Sequence, residues 1–178
     1  MDIKNMTAEN KDFLLNTYDI SEDALRELAK DEEYLIRKRV AKHSNTPADV
    51  LRELAKDDAW VIRGAVLDNP NTPKDVFRYL AKDVNHIIRC IVAKNPKTDD
   101  DILRDLIKDG NWDVRYEIAS NHKASSTILI ILFKHEKSLK TPYYYVIQAL
   151  YRNKNLPYIA KIIIETLYRE ILPPNTIK

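Results

Sequence analysis

Four aspartates recur along the chain, and each is followed six residues later by an arginine: Asp31 and Arg37, Asp57 and Arg63, Asp83 and Arg89, Asp109 and Arg115. Two kinds of chemistry are open to an acid and a guanidinium repeated in this way. They could bind phosphate or a polar substrate, since a guanidinium presents a fork of donors to oxyanions. They could instead pair with one another, with the carboxylate at a turn accepting helix N–H groups and the arginine holding that carboxylate or its neighbour's. Function on a fold is usually local rather than repeated in every unit, which favours pairing. The eight residues are therefore read as a structural ladder stapling successive layers.

The elements that position them repeat as well. The stretch NTPADVLRELAKDDAWVIRGAVLDNPNTP, from Asn45 to Pro73, ends on the residues it began with, and the chain is self-similar at an offset of 26. Leu28, Leu54, Leu80 and Leu106 form one apolar column, and Val40, Val66, Val92 and Ile118 another. Such self-similarity marks a repeat architecture. Each copy reads as two short helices. Thr46 is placed to cap the first, with Pro47 at the first helical position and Asp49 three residues after the cap, a capping-box arrangement that Thr72-Pro73-Lys74-Asp75 repeats and Thr98-Asp99-Asp100-Asp101 varies. Val50, Leu51, Leu54 and Ala55 form a stripe at helical spacing. The second helix runs from about Trp60 to Leu67 and ends at Asn69-Pro70, because proline disfavours helix in the residue before it. Neither helix can bury its stripe alone, whereas a stack of such pairs can.

The expected fold is therefore all-α: a right-handed α-solenoid of about four 26-residue helix-pair repeats over residues 20–123. Residues 1–19 read as an N-terminal half-repeat cap, 124–172 as a longer, degenerate helical cap, and 173–178 as a tail. The whole is one domain. A single cysteine, Cys90, rules out an intramolecular disulfide or a cysteine-bound metal cluster, and reads as a small apolar filler. The polar, acid-bearing start MDIKNMTAENKDF lacks the apolar run of a secretory signal, and no stretch approaches the ~20 apolar residues of a membrane span. A cytoplasmic protein with no membrane partner is expected. Net charge is only +2 but uneven: residues 120–178 carry nine Lys/Arg against three Asp/Glu, while residues 1–30 carry four against seven.

The pattern NTPxDVLRELAKDxxWVIRxxV followed by Asn-Pro-Asn-Thr-Pro resembles the leucine-rich repeat variant family and its HEAT-like relatives over residues 20–123. That resemblance implies a right-handed superhelix whose second helices line the concave face, with mainly binding or scaffolding roles and nucleic-acid binding in a few relatives. The period of 26 departs from the family's shorter unit, and the N-terminal cysteine cluster of one member is missing, so no redox role carries over.

Positions that vary between copies are not fixed by the stack. On the second helices of the middle repeats they are Val61, Gly64, Ala65, Ile87, Cys90 and Ile91, a small apolar patch rimmed by Lys38 and Arg39 on one side and Tyr116 and Glu117 on the other. An apolar centre with a charged rim fits a protein interface, although superhelical twist would bury some of these residues. The row Tyr34, Trp60, His86 and Trp112 could stack bases or anchor a partner, but packing is the preferred reading. A nucleic-acid reading rests on Lys134, Lys137, Lys140, Arg152, Lys154 and Lys161, interleaved with Tyr143, Tyr144, Tyr145, Tyr151 and Tyr158.

Enzyme readings find little support. There is no Gly-rich phosphate loop, no metal-ligand spacing among the four histidines, and no partner at motif spacing for His86. The run Asp99–Asp101 falls where a helix starts, so dipole complementation explains it. The sequence thus leads to a non-catalytic module without metal or cofactor, engaging a protein partner through the second-helix face. Nucleic-acid binding through the basic, Tyr-rich end is the alternative.

Overall fold

A computed structural model describes residues 3–17 and 20–172. Among the described residues the chain is entirely helical, with twelve α-helices, two 3₁₀ turns and no strand. None of these helices is long and apolar enough to cross a membrane. The expected tail, 173–178, lies outside the described residues, as do residues 1, 2, 18 and 19 of the expected N-terminal half-repeat. The chain divides into two compact units, Met1–Ile88 and Arg89–Lys178.

A lone helix, α1 (Ala8–Leu14), precedes four helix pairs. The first helices of the pairs are α2 (Glu22–Leu28), α4 (Ala48–Leu54), α6 (Lys74–Leu80) and α8 (Asp100–Leu106), each seven residues long. The second helices are α3 (Tyr34–Lys42), α5 (Trp60–Asp68), α7 (His86–Lys94) and α9 (Trp112–Ser120), each of nine. Isolated helices this short are unstable in water, so tertiary packing must hold them. The apolar columns supply that packing: Leu28, Leu54 and Leu80 in the first unit are buried, as are Leu106 and Ile118 in the second. Each fully buried aliphatic side chain contributes roughly 1.5–3 kcal/mol.

Beyond α9 come α10 (Ser126–Ser138), α11 (Tyr144–Arg152) and α12 (Tyr158–Leu167). The columns persist here at an offset of 32 rather than 26: Trp112 to Tyr144, Val114 to Val146, Ile118 to Leu150 and Asn121 to Asn153. The six additional residues lie in α10, which is 13 residues long instead of seven. Helices α10 and α11 thus form a fifth pair with a lengthened first helix, and α12 begins a further one.

Two polar ladders tie the layers. In the first, Arg37 donates through Nε to Asp57 at 2.7 Å and through Nη1 to the carbonyl of Asp31 at 2.8 Å. Arg63 likewise reaches Asp83 at 2.7 Å and the carbonyl of Asp57 at 2.7 Å. In the second unit Arg89 reaches Asp109 at 2.6 Å. Arginine therefore grips the next layer's carboxylate and its own layer's turn. Asp31, with no arginine before it, pairs with Lys11 of α1 at 2.7 Å. The last rung differs. Arg115 donates to Glu136, on the lengthened α10, at 2.5 Å, and Glu136 accepts the N–H of Tyr143 at 3.2 Å. Both residues are buried, Arg115 at 3% exposure and Glu136 at 0%.

The second ladder is made of asparagines. Asn69 donates to the carbonyls of Ala41 and His43 at 2.7 and 2.9 Å, and accepts the N–H of Asn71 at 2.8 Å. Asn121 and Asn153 repeat these bonds in the second unit, to Ala93 and Asn95 and to Ala119 and Asn121.

The expected capping box is not formed. Thr46 and Thr98 turn backwards and donate to the carbonyls of Val40 and Val92 at 2.5 and 2.6 Å, and Thr72 does the same to Val66. Pro47, Pro73 and Asp99 sit at the N-cap without a side-chain bond, so these helices start one residue later than the sequence suggests. Each of these threonines is buried, so its hydroxyl must find a partner inside, and the carbonyl that already accepts the N–H of His43, Asn69 or Asn95 takes it as a second bond.

Buried rungs and exposed pairs should respond differently to mutation. Glu136→Ala leaves the Arg115 guanidinium buried and uncompensated, and should cost about 3–5 kcal/mol in urea unfolding. Asp75→Ala removes an exposed pair with Arg52 and should leave the midpoint unchanged. Acid titration tests the same ladder. Burial pushes the carboxyls of Asp57 and Asp109 up, but bonds from Arg37 and Arg89, the N–H groups of Ala59 and Asn111 and nearby guanidinium charges outweigh it and hold both below the usual 3.8. A depressed carboxyl stabilises the fold fully above its unfolded value, and that stability is lost as pH falls through the folded value. Urea midpoints should fall from about pH 5 to about pH 2, and Asp57→Asn should flatten that fall.

Candidate functional site

The second helices pack side by side within each unit, α3 with α5 and α9 with α11. The expected partner patch divides between the two units. In the first, Lys38, Arg39 and Val61 are half-buried and Ile87 is exposed. Arg39 is already engaged, paired with Asp12 and bonded to Asn16 at 2.7 Å. Gly64 and Ala65 are buried, Ala65 at 3% exposure, and drop out of any contact surface. Their side chains carry at most one carbon and stay below the level set by bulkier neighbours on the helix. In the second unit Cys90, Ile91 and Glu117 are half-buried and Tyr116 is exposed.

The aromatic row marks the first residue of each second helix: Tyr34, Trp60, His86 and Trp112, continued by Tyr144. The packing expectation fits Trp112, which is half-buried, but Tyr34, Trp60 and His86 are exposed. The ring of Trp112 stacks with those of Tyr143 and Tyr145, at 5.7 Å and 14° and at 5.6 Å and 23°. Arg115 lies 5.3 Å from the Tyr143 ring centre, and the Tyr144 and Tyr145 rings meet at 3.8 Å. This cluster spends its rings on one another.

The six basic residues of the nucleic-acid reading do not converge. Lys134 and Lys137 are exposed on α10 and Lys140 follows that helix, while Arg152 ends α11 and Lys154 lies in the turn after it. Between the two groups stands the length of α11, about 13 Å. Lys161 is half-buried on α12. The structure brings Arg152 and Lys154 together and separates them from the rest.

What those two do meet is Tyr116, from the expected partner patch. A groove of about 410 Å³ between α9 and α11 is lined by Tyr116, Ser120, His122, Arg152, Lys154 and Asn155, with Ala119, Ala149 and Asn153 at its base. No carboxylate lines it. The groove sits at the C-terminal ends of both helices, each carrying about half a negative charge. Two full cations exceed that, and Asn153 and Asn155 already donate to four carbonyls there, so Arg152 and Lys154 remain available to an anion. Phosphate or carboxylate oxygens suit such a groove, with the Tyr116 ring and Ser120 hydroxyl at its side. Among the described residues no group of three His, Cys, Asp or Glu side chains could hold a metal ion.

Sequence reasoning missed Ser120, His122 and Asn155 as members of this groove, and Glu136 as a ladder rung. The asparagine column was the available signal. Its step from Asn121 to Asn153 shows that the register resumes after six extra residues, which aligns α11 with α9 and places Arg152 opposite Ser120.

Cys90 fits its reading as a filler. Burial, together with the negative charges of Asp113, Glu117 and Asp109, pushes its thiol up to about 11. At pH 8 its thiolate fraction is then far below that of an ordinary cysteine. Disulfide-reagent labelling of the folded chain should be slow at pH 8 and rise only above about pH 10, and rapid labelling at pH 8 would contradict this. Comparison with known proteins returns no match, whether to a protein-family model, a curated protein or a solved structure.

Proposed function

We propose that this chain is a non-catalytic binding module that holds an acidic segment of a protein partner in the α9–α11 groove. The observation that carries this reading is the groove itself, where Arg152 and Lys154 stand without a facing carboxylate beside Tyr116 and Ser120. It keeps the second-helix face as the contact surface but moves the contact into the second unit, since Gly64 and Ala65 are buried. Variable residues on a repeated scaffold are where such modules place specificity. Kinship with leucine-rich repeat variant or HEAT-like repeats rests on the Asp and Arg columns and agrees with a binding role. A reducing compartment such as the cytoplasm suits the lone, poorly ionised Cys90.

Nucleic acid is the second reading, favoured by the surplus of cations in residues 120–178. Two features weigh against it. The cations lie at opposite ends of α11, and Trp112 and its tyrosines stack on each other, leaving fewer free faces for bases.

Fluorescence anisotropy with a labelled oligo-glutamate peptide and a labelled single-stranded oligonucleotide separates the two. The full chain should bind the peptide more tightly than the oligonucleotide. Arg152→Glu with Lys154→Glu should weaken peptide binding about tenfold or more while leaving the melting temperature unchanged. Peptide binding untouched by the double variant would remove the groove from consideration. Tighter oligonucleotide binding that falls steeply with salt would put nucleic acid in its place.

A further inference from the structure

Four polar groups lining the α9–α11 groove come in two equivalent pairs. At the offset of 32, Ser120 of α9 matches Arg152 of α11, and His122 in the turn after α9 matches Lys154 in the turn after α11. Donors therefore stand on both walls, one pair per layer, with the Tyr116 ring beside them. The first unit holds no such set between α3 and α5. Lys42 and Asp68 occupy these helix positions there, with Ser44 and Pro70 in the turns, so cation and carboxylate cancel.

The surrounding carboxylates leave the groove positive. Glu117 of α9 feels the charge of Lys94, and Asp113 lies at the far end of that helix, about 10 Å from Ser120. Asp99, Asp100 and Asp101 open α8, where Asp100 accepts the N–H of Ser125 at 3.3 Å. Glu165 of α12 is engaged by the hydroxyl of Tyr151. Glu170 stands beside Arg169 in the 3₁₀ turn after α12, and that turn meets Gln148, one helical turn before Arg152. None of these carboxylates lines the groove.

The two-walled arrangement decides which anion fits. A carboxylate offers two oxygens in one plane and one charge, and the Arg152 fork alone can take both. Lys154 would then face no anion, and the donors of the α9 wall no acceptor. A run of carboxylates adds charge, but each acid must order its own side chain, and the groove, at about 410 Å³, is at the small end of ligand sites. A phosphomonoester brings a charge of about −1.5 to −2 and three oxygens on one tetrahedral group. It matches both cations and can accept from the two walls together. Ala119 and Ala149 at the base, with the Tyr116 ring, offer apolar surface to the stem that carries the phosphate, which the free anion lacks.

We infer that the α9–α11 groove recognises a phosphorylated side chain of the protein partner. This rests on the reading of the groove as the partner site and names the anion it takes.

Fluorescence anisotropy of the full chain tests it with labelled peptides identical except at one central residue, which is serine, glutamate, phosphoserine or phosphotyrosine, alongside oligo-glutamate. A phosphopeptide should bind about tenfold or more tighter than the single-glutamate peptide, and Arg152→Glu with Lys154→Glu should abolish that binding. Ser120→Ala with His122→Ala should weaken phosphopeptide binding about fivefold, with oligo-glutamate binding and melting temperature unchanged because both side chains are exposed. Inorganic phosphate should displace the phosphopeptide only far above the peptide's own Kd. Phosphopeptides no tighter than the glutamate peptide, with oligo-glutamate still dependent on Arg152 and Lys154, would overturn the phosphate and leave the groove reading standing. Inorganic phosphate as potent as the phosphopeptide would overturn it too, since the free anion would then be the ligand. Peptides that all fail to bind, or that bind regardless of the Arg152 and Lys154 variant, would remove both.

Discussion

The structure depends on one recurring bond system, an arginine fork that joins two turns. Its Nε and Nη2 hold both oxygens of the next layer's aspartate, and its Nη1 holds the carbonyls that close its own layer's turn. Lysine could not do this, because a point charge with three rotating donors does not fix the angle between partners. The aspartate is equally committed. Its Oδ1 also accepts an N–H two residues on, Ala59 for Asp57 and Asn111 for Asp109, which sets the turn leading into the second helix. A carboxylate held this way determines the entry of its own helix and the distance to the layer before it.

The asparagine ladder does the same at the other end of α5, α9 and α11, without charge. Asn69 closes its own turn through Oδ1 to Asn71 and reaches the preceding layer through Nδ2. Helices α5 and α9 are therefore pinned at both ends, between Asp57 and Asn69 and between Asp109 and Asn121, an interval of 12 residues in each case. An insertion there would break one ladder or the other. The first helix has no such double constraint, and the six extra residues of the fifth pair lie there, in α10. The price is paid at the rung: the turn aspartate is lost, and Glu136, now on a helix, must reach Arg115 with its longer side chain.

That substitution shows how far a sequence of this kind can be read. Columns at a fixed offset reveal which residues are equivalent, so the helix pairs, the buried leucines and the Asp–Arg partnership were legible. Periodicity does not say which way an equivalent residue faces. Thr46 has the spacing of a cap, yet its hydroxyl turns to a carbonyl on the preceding helix, because the hydroxyl is itself buried there and must be bonded. Gly64 and Ala65 vary between copies, as a binding surface would, yet their small side chains leave them beneath it. Glu136 lies 27 residues after Asp109 and is of a different residue type, so no fixed-offset comparison finds it. The groove was hidden for the same reason, since Arg152 and Ser120 become equivalent only after the offset changes to 32.

A net charge of +2 conceals a division of labour among the cations. In the first unit Arg26, Arg37, Arg52 and Arg63 are each bound to an aspartate of the following layer, so their charges are spent on cohesion. In residues 120–178 the ladder has ended. The position after Arg115 in its column is Ile147, which is fully buried and asks for no carboxylate. With the structural need for Arg–Asp pairs gone, the aspartates disappear from this stretch while lysines remain, and two of its three carboxylates, Glu136 and Glu165, bind inside the chain. The positive surplus is thus a consequence of where the stapling stops. It leaves Arg152 and Lys154 at one end of α11 with no internal anion to satisfy, which is why the candidate groove falls in the second unit.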